Sequence, residues 1–342
     1  MSRRCRLAID AMSGDAGVSA TVPAAASVMA SDPDLELILV GQPDVLHPAL
    51  QQAGLSDHPR LRVQAASEVV EMDESPSQAL RYKKDSSMRR AIDQVRQGEA
   101  DACVSAGNTG ALMATARYVL KTLPGIDRPA ICTTIPCRGG EFRMLDLGAN
   151  IDCSAEHLFQ FAVMGAELAE AVSAGQRPRI GLLNLGEEEI KGNDQVKQAA
   201  QLLQASDMDY VGYVEGDRMF ANVADVVVCD GFTGNVALKS SEGVAAMISQ
   251  YLREEFQRNL FSRLAGLVAL PVLRSLRRRL DPRRYNGASL LGLRGVVVKS
   301  HGGADEVAFA QAIRTGRVEA MQAIPNRIDA RLGQIFGKEM AR

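Results

Sequence analysis

Several familiar sequence signatures are missing from this 342-residue chain. Its six cysteines, at positions 5, 103, 132, 137, 153 and 229, form no C-x-x-C pair, which argues against a zinc or disulfide framework and fits reduced cytosolic thiols. No G-x-G-x-x-G occurs, and the one Gly-Lys pair, Gly337-Lys338, is followed by Glu339 rather than by serine or threonine. A nucleotide is therefore not the ligand that we expect.

A strong charge bias and long apolar runs are also missing. The formal net charge of -2 argues against a general nucleic-acid binder. The longest unbroken apolar run, Leu264 to Leu273, has ten residues and contains Pro271. A helix that crosses a bilayer needs roughly 20 apolar residues. We therefore expect a protein that binds no nucleic acid and does not span a membrane.

Two segments share one layout, in which an apolar strand leads into a loop of glycine and asparagine and then into a helix. They are 102–114 (ACVSAGNTGALMA) and 226–239 (VVVCDGFTGNVALK). A glycine loop that enters a helix offers free backbone N–H groups and the positive end of the helix dipole, so it suits an anion such as phosphate. Glycines also mark ordinary turns. Two such loops, with amides and hydroxyls among the glycines, favour one phosphate-handling cleft.

Apolar strand-like runs alternate with helix-length amphipathic segments such as 154–174 and 193–205. The predicted strands are 7–12, 35–40, 61–65, 102–105, 130–135, 144–147, 180–183, 226–229 and 296–299. This alternation predicts an open α/β fold with a largely parallel sheet flanked by helices. Ligands in such folds sit beyond the carboxyl ends of the strands, where this chain is rich in Gly, Asn, Asp, Ser and Thr.

The segment 252–284 breaks the pattern with nine arginines against three acidic residues. Its leucines recur at helical spacing on both sides of Pro271, which predicts a basic amphipathic helical hairpin broken at that proline. We expect this hairpin to be inserted in a single α/β unit spanning 1–342. The sequence does not decide whether that unit is divided into two lobes around one cleft. Leu264, Leu267 and Leu273 would enter an anionic membrane surface. Alternatively, the arginines receive an acidic carrier protein, or the hairpin packs on its own subunit or a dimer mate.

Blocks at the predicted strand ends resemble, in order and spacing, those of the phosphate acyltransferases of the PlsX type. The similarity runs nearly end to end and includes 10–15 (DAMSGD), 81–88 (RYKKDSSM), 105–114, 145–150 (LDLGAN), 183–193, 230–243 and 287–305. Two departures occur. Ser13 stands where the family usually has glycine, and 285–289 (YNGAS) replaces the usual YGGAP. Both changes replace glycine or proline with a polar residue, so the resemblance does not define the conformation of these two loops.

The resemblance implies an isocitrate/isopropylmalate-dehydrogenase-like α/β fold, shared with phosphotransacetylases, and usually a homodimer. The implied reaction is attack of inorganic phosphate on a long-chain acyl thioester of acyl carrier protein, which gives acyl phosphate for phospholipid synthesis. No metal and no organic cofactor are implied. The expected downstream partner is a glycerol-3-phosphate acyltransferase, and the expected location is the cytoplasm, peripherally at the inner face of the cell membrane.

Three other functions stay open at this point. One is a coenzyme A-dependent phosphotransacylase of the same fold. Another is a non-catalytic, membrane-associated scaffold for lipid enzymes. A nicotinamide-dependent dehydrogenase shares the architecture, but the sequence has no clustered aspartates of the kind that hold its divalent metal.

For the implied chemistry, we expect the two glycine loops to hold phosphate beside the thioester carbonyl. A phosphate held at near-attack distance makes the step effectively unimolecular, and donors aimed at the oxyanion add further stabilisation. The predicted phosphate-binding residues are Gly107, Asn108, Thr109, Gly110, Lys191, Asn193, Gly234, Asn235 and Lys239.

The turn Ser300-His301-Gly302 resembles the Ser-Arg-Gly turn after the last sheet strand of phosphotransacetylases. This resemblance implies that Ser300 stabilises the oxyanion and that His301 contacts phosphate or transfers a proton. Asp230, and more weakly Asp305, is predicted to orient that histidine or the leaving thiol. The residues Arg81, Lys83 and Lys84 are predicted to contact the anionic carrier protein.

Overall fold

The computed structural model describes residues 4–173 and 175–340, and its centre is one sheet of eleven strands. The strands are β1 (Cys5–Asp10), β2 (Leu35–Gly41), β3 (Leu61–Ala65), β4 (Ala102–Ser105), β5 (Ala130–Cys137), β6 (Gly140–Leu145), β7 (Arg179–Leu183), β8 (Asp209–Val214), β9 (Val226–Val228), β10 (Ala288–Leu291) and β11 (Val296–Lys299). Their order across the sheet is β3-β2-β1-β4-β11-β10-β5-β6-β9-β7-β8. Seven of the ten neighbouring pairs are parallel, which confirms the predicted, largely parallel sheet.

Helices alternate with these strands along the chain. They are α1 (Val18–Ser31), α2 (Pro43–Gln52), α3 (Pro76–Tyr82), α4 (Ser87–Arg96), α5 (Thr109–Leu120), α6 (Ala155–Val172), α7 (Asp194–Ala205), α8 (Gly231–Gln257), α9 (Leu260–Leu280), α10 (Glu306–Met321) and α11 (Ile324–Met340). Short polar side chains begin many of them. Asn108, Ser154, Asp230 and Asp305, for example, each accept a bond from the N–H three residues on, which satisfies a donor that has no partner within the helix.

The helices cover both faces of the sheet. On the back face, the side of the sheet toward which Val298 and Leu145 point, the core is completed by α1, α2 and α10 in one half and by α6, α7 and α11 in the other. On the front face, toward which Val297 and Met144 point, it is completed by α3, α4 and α5 and by the first turns of α8. The two glycine loops both begin helices of the front face.

The sheet consists of two parallel halves that run in opposite directions. The half β3-β2-β1-β4-β11 is joined to the half β6-β9-β7-β8 through antiparallel pairs that involve β10 and β5. One row of paired residues crosses the junction and consists of Val298, Ser289, Cys132, Leu145 and Val228. The strands β4, β11, β6 and β9 all end on this row or one residue beyond it. Neighbouring strands lie about 4.8 Å apart, so the ends of β11 and β6 are separated by roughly 14 Å along the row.

All nine predicted strands occur, with ends shifted by a few residues, but β8 and β10 were not predicted. β8 is an edge strand with a register irregularity against β7, and Gly212 divides its sequence DYVGYV into two short Tyr-Val pairs instead of one apolar run. β10 has only four residues between two glycines of positive φ, Gly287 and Gly292. Neither segment carries the continuous apolar pattern of a central strand.

The predicted hairpin turns at a different place from the one expected. α8 ends at Gln257, and Asn259 begins α9 by accepting a bond from the Ser262 N–H at 2.9 Å. α9 then continues through Pro271, so the predicted break at that proline is wrong. The asparagine cap, rather than the proline, sets the boundary. Gly266 of α9 lies against the ring of Phe256 of α8, so α9 folds back onto α8.

The hairpin exposes apolar side chains, among them Leu264 (54% exposed) and Leu267 (62% exposed). The side chains of Arg277, Arg278 and Leu280 lie outside the described residues. No helix in the described part of the chain is both long and apolar enough to cross a membrane.

Candidate active site

The loops that follow β1, β4 and β11 are tied together by direct hydrogen bonds. The Ser13 hydroxyl donates to the Asp10 carbonyl oxygen at 2.8 Å and accepts the Ala106 N–H at 2.8 Å. The Ser300 N–H donates to the Ser105 carbonyl oxygen at 2.8 Å. The serine that replaces the usual glycine therefore connects the first two loops instead of disturbing them.

Lys299 is a buried cation between two of these loops, and the sequence analysis missed it. It ends β11 on the front face with 8% of its surface exposed, and its Nζ donates to the carbonyl oxygens of Ala106, at 3.3 Å, and Ser300. Burial lowers its pKa to about 8, while the carboxylates of Asp10 and Asp15 oppose that shift. The signal available in the sequence was a lysine at the end of the apolar run VVVK.

Asp10 lies at the end of β1 and is also buried. Burial raises its pKa, against the hydrogen bond that its Oδ2 accepts from the Ser105 hydroxyl at 2.6 Å. The Ser105 oxygen in turn accepts the Gly107 N–H at 3.1 Å. The Gly107 amide is therefore engaged inside the protein, and it does not face a ligand as predicted.

The first glycine loop still presents unused donors. In residues 4–173 and 175–340 no acceptor bonds the backbone N–H groups of Asn108, Thr109 and Gly110, which begin α5. The Asn108 side chain is used structurally, since its Oδ1 caps α5 and its Nδ2 donates to the carbonyl oxygens of Met72 and Glu74. Three free N–H groups at a helix N-terminus, next to the loop bonded by the Lys299 ammonium, form a suitable cradle for an anion.

The second glycine loop is organised differently, around a buried carboxylate. Asp146 accepts four bonds, from the N–H groups of Ile131, Ala149 and Asn150 and from the Asn150 amide, at 2.6 to 3.2 Å. Burial raises its pKa, and these donors oppose the shift. The turn that Asp146 holds is the surface against which α8 begins.

Close packing accounts for the glycines of this second loop. A Cβ at Gly231 would lie 2.7 Å from the Asn150 carbonyl oxygen, and one at Gly234 would collide with the carbonyl oxygen of Asp146. The N–H groups of Gly231 and Gly234 are already bonded to backbone carbonyls. The predicted phosphate contact of Gly234 is therefore not supported, and the loop offers the Asn235 side chain, which lies beside Gly148.

His301 is exposed at the turn after β11. Its Nδ1 accepts the Gly303 N–H at 3.0 Å, which assigns the proton of the neutral ring to Nε2. Its own N–H donates to Asn286 Oδ1 at 2.9 Å, and the turn is fixed further by the bond from the Asp15 N–H to the Gly302 carbonyl oxygen at 2.9 Å. Nε2–H is thus free to donate a hydrogen bond.

Ser300 does not face the cleft. It is fully buried, and its hydroxyl accepts a bond of 2.8 Å from Asn286 Nδ2, which also donates to the Ala308 carbonyl oxygen of α10 on the back face. This placement does not support the predicted oxyanion contact. Because side chains alternate along a strand, Lys299 points to the front face and Ser300 to the back. Ser300 instead positions the turn.

The two aspartates predicted to assist His301 serve as helix caps. Asp230 accepts bonds from the Thr233 N–H at 2.8 Å and hydroxyl at 2.7 Å. Asp305 accepts the Ala308 N–H at 2.9 Å and pairs with Arg283 at 3.0 Å. Neither is bonded to His301 among the described residues, so orientation of that histidine by Asp230 or Asp305 is not supported, and a role toward the leaving thiol stays a prediction.

The predicted lysines and Asn193 lie at the surface of the second half. Lys191 pairs with Glu188 at 2.9 Å, and that contact raises the pKa of the lysine. Asn193 accepts the Val196 N–H at 2.9 Å as the cap of α7. Lys239 is exposed in the third turn of α8. Their role toward phosphate stays a prediction.

The predicted carrier-protein cluster lies on and just after α3, next to the first glycine loop. Pro76 of α3 approaches Gly110 so closely that a Cβ there would lie 2.8 Å from its ring. Arg81 lies over the ring of Tyr82 with 5.4 Å to the centroid, and Lys84 is exposed. Lys83 donates to the Val69 carbonyl oxygen at 3.1 Å and so fastens the preceding loop.

The structure shows neither a thiolate nucleophile nor a metal centre in the described part of the chain. All six cysteines are free, and burial raises the pKa of Cys103 and Cys229, the two that lie in or directly after the strands leading to the glycine loops. No group of three or more His, Cys, Asp or Glu residues that could hold a metal ion occurs among residues 4–173 and 175–340.

Similarity to known proteins extends over nearly the whole chain. A family model described as fatty acid synthesis protein matches residues 5–327. A phosphate acyltransferase of Alkalilimnicola ehrlichii is 67% identical over 336 residues, which cover 98% of both chains. A phosphate acyltransferase of Halorhodospira halophila is 62% identical over 338 residues and again covers 98% of both.

Solved structures with the same architecture are more distant in sequence. A phosphotransacetylase from Streptococcus pyogenes superposes with a TM-score of 0.64 at 18% identity, over 94% of this chain and 95% of that one. A branched-chain phosphotransacylase from Enterococcus faecalis V583 superposes with a TM-score of 0.57 at 13% identity, over 92% and 99% of the two chains. The predicted α/β fold shared with phosphotransacetylases is confirmed.

The position of Lys299 generates a prediction about anion binding. Lys299→Met removes the cation that bonds both loops, and we expect the dissociation constant for inorganic phosphate, measured by titration calorimetry, to rise at least about tenfold. Wild-type affinity should fall as the pH rises through about 8, where the ammonium loses its proton. The variant should show no such fall between pH 7.5 and 9.5, roughly the range in which phosphate stays a dianion.

Lys121→Met, which removes an exposed lysine at the C-terminal end of α5, is the matched control and should keep the wild-type pH dependence. A Lys299→Met protein that binds phosphate as wild type does, with the same decline above pH 8, would contradict the assignment.

Proposed function

The chain belongs to the phosphate acyltransferase family, and we propose that it transfers a long-chain fatty acyl group from acyl carrier protein to inorganic phosphate. Acyl transfer to phosphate is the activity of the family, and the chain is an acyltransferase. What we propose is the acyl donor, acyl carrier protein, and the metabolic route. On that route acyl phosphate enters phosphatidic acid synthesis, where a glycerol-3-phosphate acyltransferase consumes it. The observation that carries the proposal is the set of free N–H groups at the start of α5, beside the buried Lys299 and the exposed His301.

Inorganic phosphate binds at the N-terminus of α5. The N–H groups of Asn108, Thr109 and Gly110 and the helix dipole hold its oxygens. The Lys299 ammonium, bonded to the carbonyl of Ala106, adds a positive charge behind the loop. A phosphate fixed in this way has one oxygen directed out of the cradle toward the acyl donor.

The reaction then proceeds by addition and elimination at the thioester carbonyl. A phosphate oxygen forms a bond to the carbonyl carbon, and negative charge develops on the carbonyl oxygen. The carbonyl double bond then re-forms as the C–S bond breaks, which gives acyl phosphate and the thiolate of the carrier. The Asn235 amide, from the other half of the sheet, donates to the oxyanion. The Nε2–H of His301 donates a hydrogen bond to the departing thiolate, which takes up a proton from water after it leaves.

The acyl carrier protein docks beside the first glycine loop. Arg81 and Lys84 lie on and next to α3, which packs on Gly110, so they are positioned for an acidic partner whose prosthetic arm enters the cleft. We propose acyl carrier protein rather than coenzyme A as the donor because Arg81 and Lys84 are exposed beside the first glycine loop, where they can contact the surface of a folded acidic partner.

The donor can be tested directly with purified protein. We expect release of free carrier protein from long-chain acyl carrier protein only when inorganic phosphate is present, with acyl phosphate trapped by hydroxylamine. Arg81→Glu combined with Lys84→Glu should raise KM for the acyl donor severalfold and leave KM for phosphate unchanged. Arg138→Glu, at an exposed turn between β5 and β6, is the control.

Two outcomes would contradict the proposal. Turnover with acyl coenzyme A that equals turnover with acyl carrier protein would favour the coenzyme A-dependent alternative. Binding of acyl carrier protein and lipid without any turnover would favour a scaffold.

The α8–α9 hairpin is the surface that we propose to meet the membrane. Phe261 (85% exposed), Leu267 (62%) and Val268 (83%) form an apolar surface flanked by arginines. This surface would hold the enzyme peripherally at the inner face of the cell membrane, in the cytoplasm, where acyl phosphate enters the lipid phase. We also propose that the enzyme is a homodimer.

Membrane contact can be tested by liposome flotation. Replacing Leu264, Leu267 and Val268 with glutamine should abolish co-flotation with anionic vesicles, because the variant loses the apolar surface that enters the acyl boundary. Leu185→Gln removes a similarly exposed leucine far from the hairpin along the chain and should leave flotation unchanged. Co-flotation of the triple variant at the wild-type level would rule out this use of the hairpin.

A further inference from the structure

A cavity of about 180 Å³ lies on the back face of the sheet, away from the glycine loops. It is enclosed by the end of α6, by α10, and by β10, β5 and β6, the strands that join the two halves. Its floor is formed by Ser289, Thr134 and Arg143, whose side chains share the back face because their strands pair in register. The proposed acyl-transfer site lies on the other face.

Arg143 is the unusual group in this cavity. It is 8% exposed, yet its guanidinium makes no hydrogen bond to any residue in the described part of the chain. Its one ion-pair partner there is Glu141, at 3.9 Å. A guanidinium carries five N–H donors. The Arg143 nitrogens are not among the fully covered polar atoms that lack a partner in the described part of the chain, so they are open to the space of the cavity. These donors border the cavity, so an acceptor that occupies it would satisfy them.

The neighbouring carboxyl group does not neutralise Arg143. Glu319 of α10 is 4% exposed and accepts a hydrogen bond from the Ser289 hydroxyl. Burial raises its pKa to about 7, although Ser289 and Arg143 act against the shift. Near neutral pH a large fraction of Glu319 is therefore protonated, and the carboxyl group can then donate a hydrogen bond into the cavity.

The remaining walls define the size and polarity of a ligand. Leu168, Val172 and Val318 supply apolar surface, and Arg284 and Arg314 stand exposed at the rim. A water molecule takes about 30 Å³ in the liquid, so the cavity has room for an oxyanion with several attached carbon atoms. Positive charge at both the floor and the rim favours an anion over a neutral molecule.

We propose that this cavity binds a small organic oxyanion, a carboxylate or a phosphate monoester with a short carbon chain, whose oxygens accept hydrogen bonds from Arg143. The site is separate from the acyl-transfer site and does not depend on it. Asn286 lines the cavity and also bonds Ser300 and the His301 N–H, so a bound ligand would contact the residue that holds the catalytic turn.

Titration calorimetry with the full-length protein tests this site, with butyrate, octanoate and glycerol phosphate as separate probes. We expect saturable one-to-one binding of at least one probe, and the probe that binds distinguishes a carboxylate from a phosphate ligand. Arg143→Met should weaken that binding at least about tenfold. Arg138→Met, which removes an exposed arginine from the turn between β5 and β6, should leave that binding unchanged.

The pH dependence provides a second readout. Affinity should fall as the pH rises through about 7, because ionised Glu319 repels the anion. Glu319→Gln should bind without this dependence. The other charged or titratable side chains that line the cavity are Cys132, Glu141, Arg143, Arg284, Tyr285 and Arg314.

Further variants separate binding from folding and from catalysis. Val318→Trp should block the cavity from its rim while leaving Arg143 in place, and binding should be lost. Arg143→Met and Val318→Trp should both retain phosphate-dependent acyl transfer, which shows that they are folded. Absence of binding by the wild-type protein for all three probes would overturn the proposal. Binding that neither variant weakens would overturn it as well.

Discussion

The register of strands β10 and β5 is the constraint on which the rest of the site depends. Two parallel half-sheets run in opposite directions, and their carboxyl ends would lie at opposite edges of the sheet if the halves were aligned end to end. The antiparallel pairs through β10 and β5 shift the two halves along the strand direction, so that their carboxyl ends meet near the middle of the sheet. As a result, Val298 of β11 and Val228 of β9 share one row, and the loops of both halves begin beside the same strip of the front face.

Given that register, the two glycine loops offer different groups to a ligand. The first has three free N–H groups and the buried Lys299 beside it, so it suits the anionic nucleophile. In the second, the N–H groups of Gly231, Thr233 and Gly234 are engaged and the loop is packed on the Asp146 turn, so it offers the Asn235 side chain instead. In the proposed mechanism, binding of phosphate and stabilisation of the oxyanion are therefore assigned to opposite halves of the sheet, and the reaction needs both.

Much of this arrangement could be predicted from sequence because strand ends carry a strong signal. The runs 102–105 and 296–299 are strands with the predicted bounds, and Asn108 and His301 follow them as expected. What could not be predicted is where individual polar groups point. Ser300 and Lys299 are adjacent, yet the Ser300 side chain lies on the back face with α10 and the Lys299 ammonium bonds the first glycine loop at Ala106. The Gly107 amide donates to Ser105. Such choices depend on contacts between loops far apart in sequence, such as Ser13 with Ala106.

A double-mutant cycle on kcat/KM for phosphate, with His301→Ala and Asn235→Ala, tests most directly whether the two halves form one site. Residues in contact, or acting as a unit on one transition state, show strongly non-additive effects, whereas distant and independent residues add within about 0.5 kcal/mol. We predict that each single variant loses at least about a hundredfold and that the double variant loses far less than the product of the two factors. Losses that multiply, or an Asn235→Ala enzyme with full activity, would contradict a cleft shared between the halves.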